Sequence, residues 1–215
     1  MTSIAKETRL GTAALNQNRH VCMFYRTRDE VYQVILPFIE EGIERGEKIF
    51  HMVDPTYYED HMRRLESANI PVGPAMRSGQ LEVRKWDESF LREGHFEPET
   101  MLFFIEQKLQ DFRSEGYPLT RWIGQMEWPA QRSSRYDDFL EFEARVNHIA
   151  AKRDDFLVCT YDINKHDSGL VLDALRIHPV VIIGEVVHEN PFYVPPEEFL
   201  RELHERVTCP TLTQG

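Results

Sequence analysis

HVCMFYRTRDE, residues 20–30, is the stretch that decides the fold. HVCMFY is a short apolar run of the kind that makes a buried strand, and Thr27 to Glu30 has the spacing of a capping box. There a threonine hydroxyl and a glutamate three residues on satisfy free amides at a helix start. Strand therefore runs straight into helix, and no glycine occurs between Gly11 and Gly42. A loop that wraps nucleotide phosphates needs glycine at this junction, because only glycine supplies the backbone freedom and the close approach. No G-x-G-x-x-G occurs elsewhere in the chain. Phosphoryl transfer by the usual route is not expected.

The same alternation repeats outward from this junction. Val31, Val34, Ile35, Phe38 and Ile39 recur at helical spacing, with Pro37 predicting a kink or break and Gly46 a C-cap. KIFHMV (48–53) is a strand, Asp54-Pro55 a turn, and Thr56 to Glu59 a second capping box before a helix with Met62, Leu65 and Ala68 inward. Residues 70–79 form a Gly/Pro-rich connector, and LEVRKW (81–86) is an edge strand with charges in solvent. Pro98 opens a helix through Met101, Leu102, Ile105, Leu109 and Phe112. Strands follow at 119–126, 156–162 and 180–184, and helices at 134–151, 168–177 and after Pro195-Pro196. Alternating strands and helices predict an α/β three-layer sandwich: a mainly parallel sheet with helices on both faces. Residues 1–18 are expected to be a flexible lead-in, 19–207 a single domain and 208–215 a flexible tail.

Composition narrows the function classes. The chain of 215 residues carries a net charge of −11, which argues against direct nucleic-acid binding. No apolar run approaches the ~20 residues that cross a bilayer, and residues 1–20 show no signal-peptide core. Three cysteines without a C-x-x-C suit a reduced, cytoplasmic protein. Nine histidines invite a metal site, but no H-E-x-x-H or Cys/His cluster is visible, so they read as surface groups. Cys22 and Cys159 read as small buried hydrophobes within strands. No catalytic nucleophile, cofactor motif or metal motif is expected.

The informative feature is the set of residues just beyond the strands, where open parallel sheets collect ligands. Phe24, Tyr25, Asp54, Trp86, Asp87, Glu127, Trp128, Tyr161 and Asp162 form a rim of rings and carboxylates. The candidate ligand-binding residues are Tyr25, Asp54, Glu127, Trp128, Tyr161 and Asp162. Each has a plain structural alternative: strand-end rings roof the core and aspartates cap helices. Glu127, between a buried strand and Trp128-Pro129, has no obvious capping role. Glu143 and Asn147, four apart on the following helix, share one side and suggest a partly buried polar pair.

These residues also carry a resemblance. Gly42-x-x-x-Gly46-Glu-Lys with IFHMVDP resembles KaiC/RecA-like ATPases. HVCMFY (20–25), PFIEEGIERGEKIFHMVD (37–54), SGQLEV (78–83), GHFEPETM (94–101), GQMEW (124–128), FEARVN (142–147), DALRIHP (173–179) and HENPFYVPPEEF (188–199) together resemble the MEDS domain, a sensory domain of methanogens and methylotrophs. The resemblance implies a RecA-like core without a Walker A loop. In it the 156–161 strand lies between the first strand and the 119–126 strand, and Tyr25, Glu127 and Tyr161 lie near the vacated nucleotide site. It implies a sensory role, with small hydrocarbon-derived compounds as ligands. Relatives are often joined to DNA-binding, kinase or anti-sigma modules, for which this chain has no room. Output is then expected through a regulatory partner of the kinase, anti-sigma or transcription-factor type, or through a contact between copies of the chain. Two alternatives stay open: an enzyme using Glu127 as general acid or base with Tyr25 or Tyr161 assisting, and an interaction domain with its old site filled by side chains.

Overall fold

The computed structural model describes residues 8–10, 13–15, 19–88, 96–128 and 136–208. Two short strands, β1 (Thr8–Leu10) and β2 (Ala13–Leu15), pair antiparallel by themselves. The rest of the expected lead-in, residues 134–135 of the expected 134–151 helix and the tail beyond 208 lie outside the described residues. The main sheet holds β3 (His20–Tyr25), β4 (Lys48–Val53), β5 (Leu81–Lys85), β6 (Thr120–Gln125), β7 (Phe156–Asp162), β8 (Val180–Ile183) and β9 (Val186–Glu189). Its order is β5-β4-β6-β7-β3-β8-β9, parallel throughout except for β9. β7 lies between β3 and β6, and β5 is an edge, as the sequence predicts.

The helices divide between the two faces as a three-layer sandwich requires. α1 (Arg28–Glu44), α2 (Tyr58–Ser67) and α3 (Val72–Arg77) cover one face, burying Val34, Ile35, Phe38 and Leu65 against Val21, Met23, Ile49, Ile123 and Val158. α4 (Pro98–Ser114), α5 (Tyr136–Ala150), α6 (Ser168–Ile177) and α7 (Pro196–Thr208) cover the other, burying Ile105, Phe112, Phe142, Ala174 and Phe199 against Phe50, Trp122, Leu157 and Tyr161. Odd and even residues of the central strands β3, β4, β6, β7 and β8 enter different cores, the period-two rule that made the strands legible.

Several local expectations change. Pro37 does not break α1, which runs unbroken from Arg28 to Glu44. Its buried face is pinned to the sheet, and that outweighs one missing backbone bond. The 70–79 connector contains α3, where Pro74 sits in the first turn and its missing N–H is not needed. Thr56 does not cap α2: it lies in a 3-10 turn capped by Asp54. β9 had no prediction; it folds back on β8 through Gly184, whose φ is +64°.

A buried cation joins α1 to the sheet. Arg121 of β6 is fully buried; it donates to Glu47 Oε2 at 2.5 Å, to the Phe38 carbonyl at 2.6 Å and to Glu41 Oε2 at 3.0 Å. Gly42 makes room for it: a Cβ there would lie 2.8 Å from Arg121 Cδ and 2.5 Å from Ile49 Cδ1.

Candidate functional site

The β3–α1 junction, where a phosphate loop would lie, is closed by the protein's own side chains. Thr27 Oγ1 accepts from the Glu30 amide at 3.3 Å, and Glu30 Oε2 accepts from the Arg26 amide at 2.8 Å. The threonine half of the capping box read from the sequence is thus formed, while Glu30 reaches one residue past the cap, to Arg26 rather than Thr27. Asp29 and Glu30 place two carboxylates in the first turn of α1, which repels an anion at the helix dipole's positive end. Asn164, after β7, donates to the Arg26 carbonyl at 2.8 Å and ties this junction to its neighbour.

Beneath the junction lies the pair that matters most. Tyr25, the last residue of β3, donates its hydroxyl to Glu127 Oε1. Glu127 follows β6 and is wholly buried, and its other oxygen, Oε2, has no hydrogen-bond partner among the described residues. Burial pushes the Glu127 carboxyl up; the Tyr25 hydroxyl and the Lys165 charge pull against this, and nearby Asp54 adds to it. Burial, with the Glu127 charge next, likewise pushes the Tyr25 hydroxyl up, so it stays a donor. A buried acceptor left unpaired costs about 1–3 kcal/mol, and more when charged.

The other strand-end candidates take different places. Asp54 is buried, accepts from the Thr56 amide at 2.8 Å and hydroxyl at 2.6 Å, and has its own amide held by Gln125 at 2.8 Å. Asp162 closes a turn after β7, accepting from the Asn164 amide at 3.0 Å. Trp128 packs between Phe96 and Phe139, with ring centroids at 4.6 and 5.3 Å, in the core on the α5 side. Tyr161 lies in that same core and donates to Glu143 Oε2 at 3.0 Å, not to Glu127. Trp86 is buried there too, and Asp87 is exposed. Tyr57, which the sequence reading passed over, stands at the rim between Arg28, 3.8 Å over its ring, and Lys165, at 4.8 Å. Its signal was its position one turn beyond Asp54.

With this geometry in place, comparison with known proteins is decisive for the family. Residues 19–179 match the methanogen/methylotroph, DcmR sensory domain, abbreviated MEDS. The chain belongs to the MEDS family. A curated relative, the transcriptional repressor DcmR of Methylorubrum extorquens, is 23% identical over 175 residues, covering 81% of this chain and 63% of that repressor. This MEDS chain thus spans less than two thirds of the repressor's length. Among solved structures, the KaiC-like protein PH0186 of Pyrococcus horikoshii matches with a TM-score of 0.57 at 13% identity, covering 78% of this chain and 71% of that one. That likeness establishes a KaiC-like, RecA-type fold. Among the described residues no helix is long and apolar enough to cross a membrane. Family and relative together point to a sensory, regulatory role.

The MEDS chain also holds a second polar cluster, inside the α5-side core. His20, Glu143, Cys159 and His178 are all buried, and their donor atoms lie within 4.8 Å of one another. Glu143 Oε2 is 3.2 Å from His178 Nε2 and 3.7 Å from His20 Nε2; Cys159 Sγ is 3.6 Å from His20 Nε2. Burial raises the Glu143 carboxyl, but His178 and His20 beside it hold it down at about 2. Burial, with His178 alongside, lowers His20 to about 4, so it is neutral. Reading the histidines as surface groups therefore fails for His20, His51, His61, His166 and His178, all buried; it holds for His188 and His204. Glu143 and Asn147, expected to share one side of the helix as a partly buried pair, are both buried but meet through His20, Asn147 at its Nδ1 and Glu143 near its Nε2, rather than each other. The residues of the cluster are far apart in the chain, so only the strand order, with β3 between β7 and β8, brings them together.

Proposed function

We propose that this chain is a signal-input domain that binds a small molecule at the carboxyl ends of β3 and β6 and passes its occupancy to a regulatory partner. The observation that carries this reading is the free oxygen of Glu127: a buried carboxylate with one oxygen bonded to Tyr25 and the other unpaired. A ligand bearing a hydroxyl or amine on a small apolar body supplies the missing donor and keeps the site dry. Such compounds fall within the hydrocarbon derivatives implied by the family. Of the six candidates, Tyr25 and Glu127 are the contact pair. Asp54 and Asp162 flank the rim, whereas Trp128 and Tyr161 lie in the opposite core and fall outside the contact set. The relative's role as a repressor supports a transcriptional output, reached here through a partner protein or a second copy of the chain.

Thermal unfolding in the presence of small alcohols, amines and halogenated hydrocarbons tests this. A ligand at one hundred times its Kd adds about 2.7 kcal/mol of stability. At least one of the donor-bearing classes, the alcohols or the amines, is expected to raise the midpoint of the native chain, with the halogenated compounds as the control that lacks a donor. Glu127→Gln is expected to weaken that ligand at least about tenfold, the loss of one charged hydrogen bond. No shift from either donor-bearing class, or an equal shift in Glu127→Gln, overturns the reading.

A further inference from the structure

We infer that His20, Glu143, Cys159 and His178 form a closed, four-coordinate site for a borderline-soft transition-metal ion, zinc(II) first among them. The first argument is direction. His178 Nδ1 faces the Ala174 carbonyl at 2.7 Å, an acceptor only, so Nδ1 carries a proton and Nε2 is the nitrogen left to ligate a metal. His20 Nδ1 faces Asn147 Oδ1 at 3.2 Å. The Asn147 amide nitrogen is committed to the Ala144 and Ile177 carbonyls, at 3.1 and 3.0 Å, which fixes its oxygen toward His20. Both Nε2 atoms therefore stand on the Glu143 side of their rings, 3.2 and 3.7 Å from its Oε2. The wholly buried His178 Nε2 makes no hydrogen bond although Glu143 Oε2 is 3.2 Å away. Two imidazole nitrogens, a thiol and a carboxylate converge here within 4.8 Å of one another, and a cation at their centre would take all four as ligands in place of the protons they share.

The second argument is size. Tetrahedral zinc with bonds of about 2.0–2.3 Å sets its ligand atoms about 3.3–3.7 Å apart. Three of the separations here, 3.2, 3.6 and 3.7 Å, fall close to that range, and all four ligand atoms lie within 4.8 Å of one another, so a bound ion would draw the remaining pairs in. The third is charge. Zinc(II) binding displaces one proton from the Cys159 thiol, so thiolate, carboxylate and metal sum to zero, as a site without solvent requires. The fourth is support. Each histidine's far nitrogen is held by a carbonyl or amide oxygen, and Tyr161 donates to Glu143 at 3.0 Å, the outer shell that orients metal ligands. The filled site would bind β3, β7, α5 and the α6–β8 turn into one unit. It lies in the core opposite Tyr25 and owes nothing to the strand-end reading.

The test is cobalt(II) spectroscopy on the full chain, expressed in cobalt-supplemented medium, with metal content measured by mass spectrometry. One cobalt per chain is expected, with the intense visible bands of four-coordinate cobalt and a thiolate charge-transfer band, both abolished by zinc. Cys159→Ala is expected to lose the charge-transfer band, whereas Cys22→Ala, which removes the adjacent buried thiol, keeps it. Asn147→Ala, which removes no ligand, is expected to weaken zinc about 10- to 100-fold. A folded native chain with background metal and no such bands overturns the proposal, as does a band that survives Cys159→Ala or vanishes in Cys22→Ala. The native-chain spectrum decides the matter even if Cys159→Ala does not fold.

Discussion

The surroundings of Glu127 favour its neutral form over its ionised one. Its carboxyl is raised in the folded chain, so its contribution to stability is full below the unfolded pKa and is lost as pH rises through the folded one. Glu127→Gln removes that loss, so the variant's advantage over the native chain is expected to be larger at pH 7.5 than at pH 4.5. Urea midpoints at the two values check this, and a gap that does not change with pH would count against the burial argument. His51 and His61 work in the opposite sense. Their rings meet at 4.3 Å in the α1/α2 core; burial lowers His61 to about 3 and His51 well below its ordinary 6.5. The unfolded chain then binds more protons below about pH 6.5, so stability falls as pH drops through that window, by about 1.4 kcal/mol per unit for each histidine. Replacing His51 by Phe should flatten the acid limb by one such slope in urea titrations between pH 7 and 5. At this scale the sequence revealed Glu127 because nothing local needed its charge. It concealed His20, His51, His61 and His178, because one histidine in an apolar run looks the same whether its partner is water or a residue on another element.

Elements were legible wherever a local rule governed them. The strands follow period-two alternation, and α1 starts at the Thr27 cap read from the sequence, whose hydroxyl holds the Glu30 amide while Glu30 reaches back to Arg26. α3 and β9 were hidden because Pro74 and Gly184 look like loop residues until their places, a first turn and a left-handed hairpin position, are known. Gly42 was legible as a residue but not in its purpose. It lets α1 approach β4 and β6 closely enough for Arg121 to reach Glu41, Glu47 and the Phe38 carbonyl. Gly42→Ala puts a methyl group into contacts of 2.5 and 2.8 Å, so it should destabilise the chain by about 1–3 kcal/mol despite alanine's better helix propensity. Chemical denaturation measures this directly. A stabilised variant would mean that Arg121 and Ile49 yield freely.

For the molecule as a whole, the layer order followed from alternation and from the resemblance, whereas the division of labour between its two cores did not. Tyr25 and Tyr161 both end strands, yet one faces α1 and the other α5, so the expected grouping of Tyr25, Glu127 and Tyr161 is split by the sheet. The central claim is that this RecA-type fold has closed its phosphate cradle with Thr27, Asp29 and Glu30 and turned the space below it over to Tyr25 and Glu127. Calorimetric titration of Mg²⁺–ATP into the full chain tests it most directly. The account predicts no saturable heat of binding; one-to-one binding of the nucleotide that is abolished by a substitution at Thr27 would contradict it.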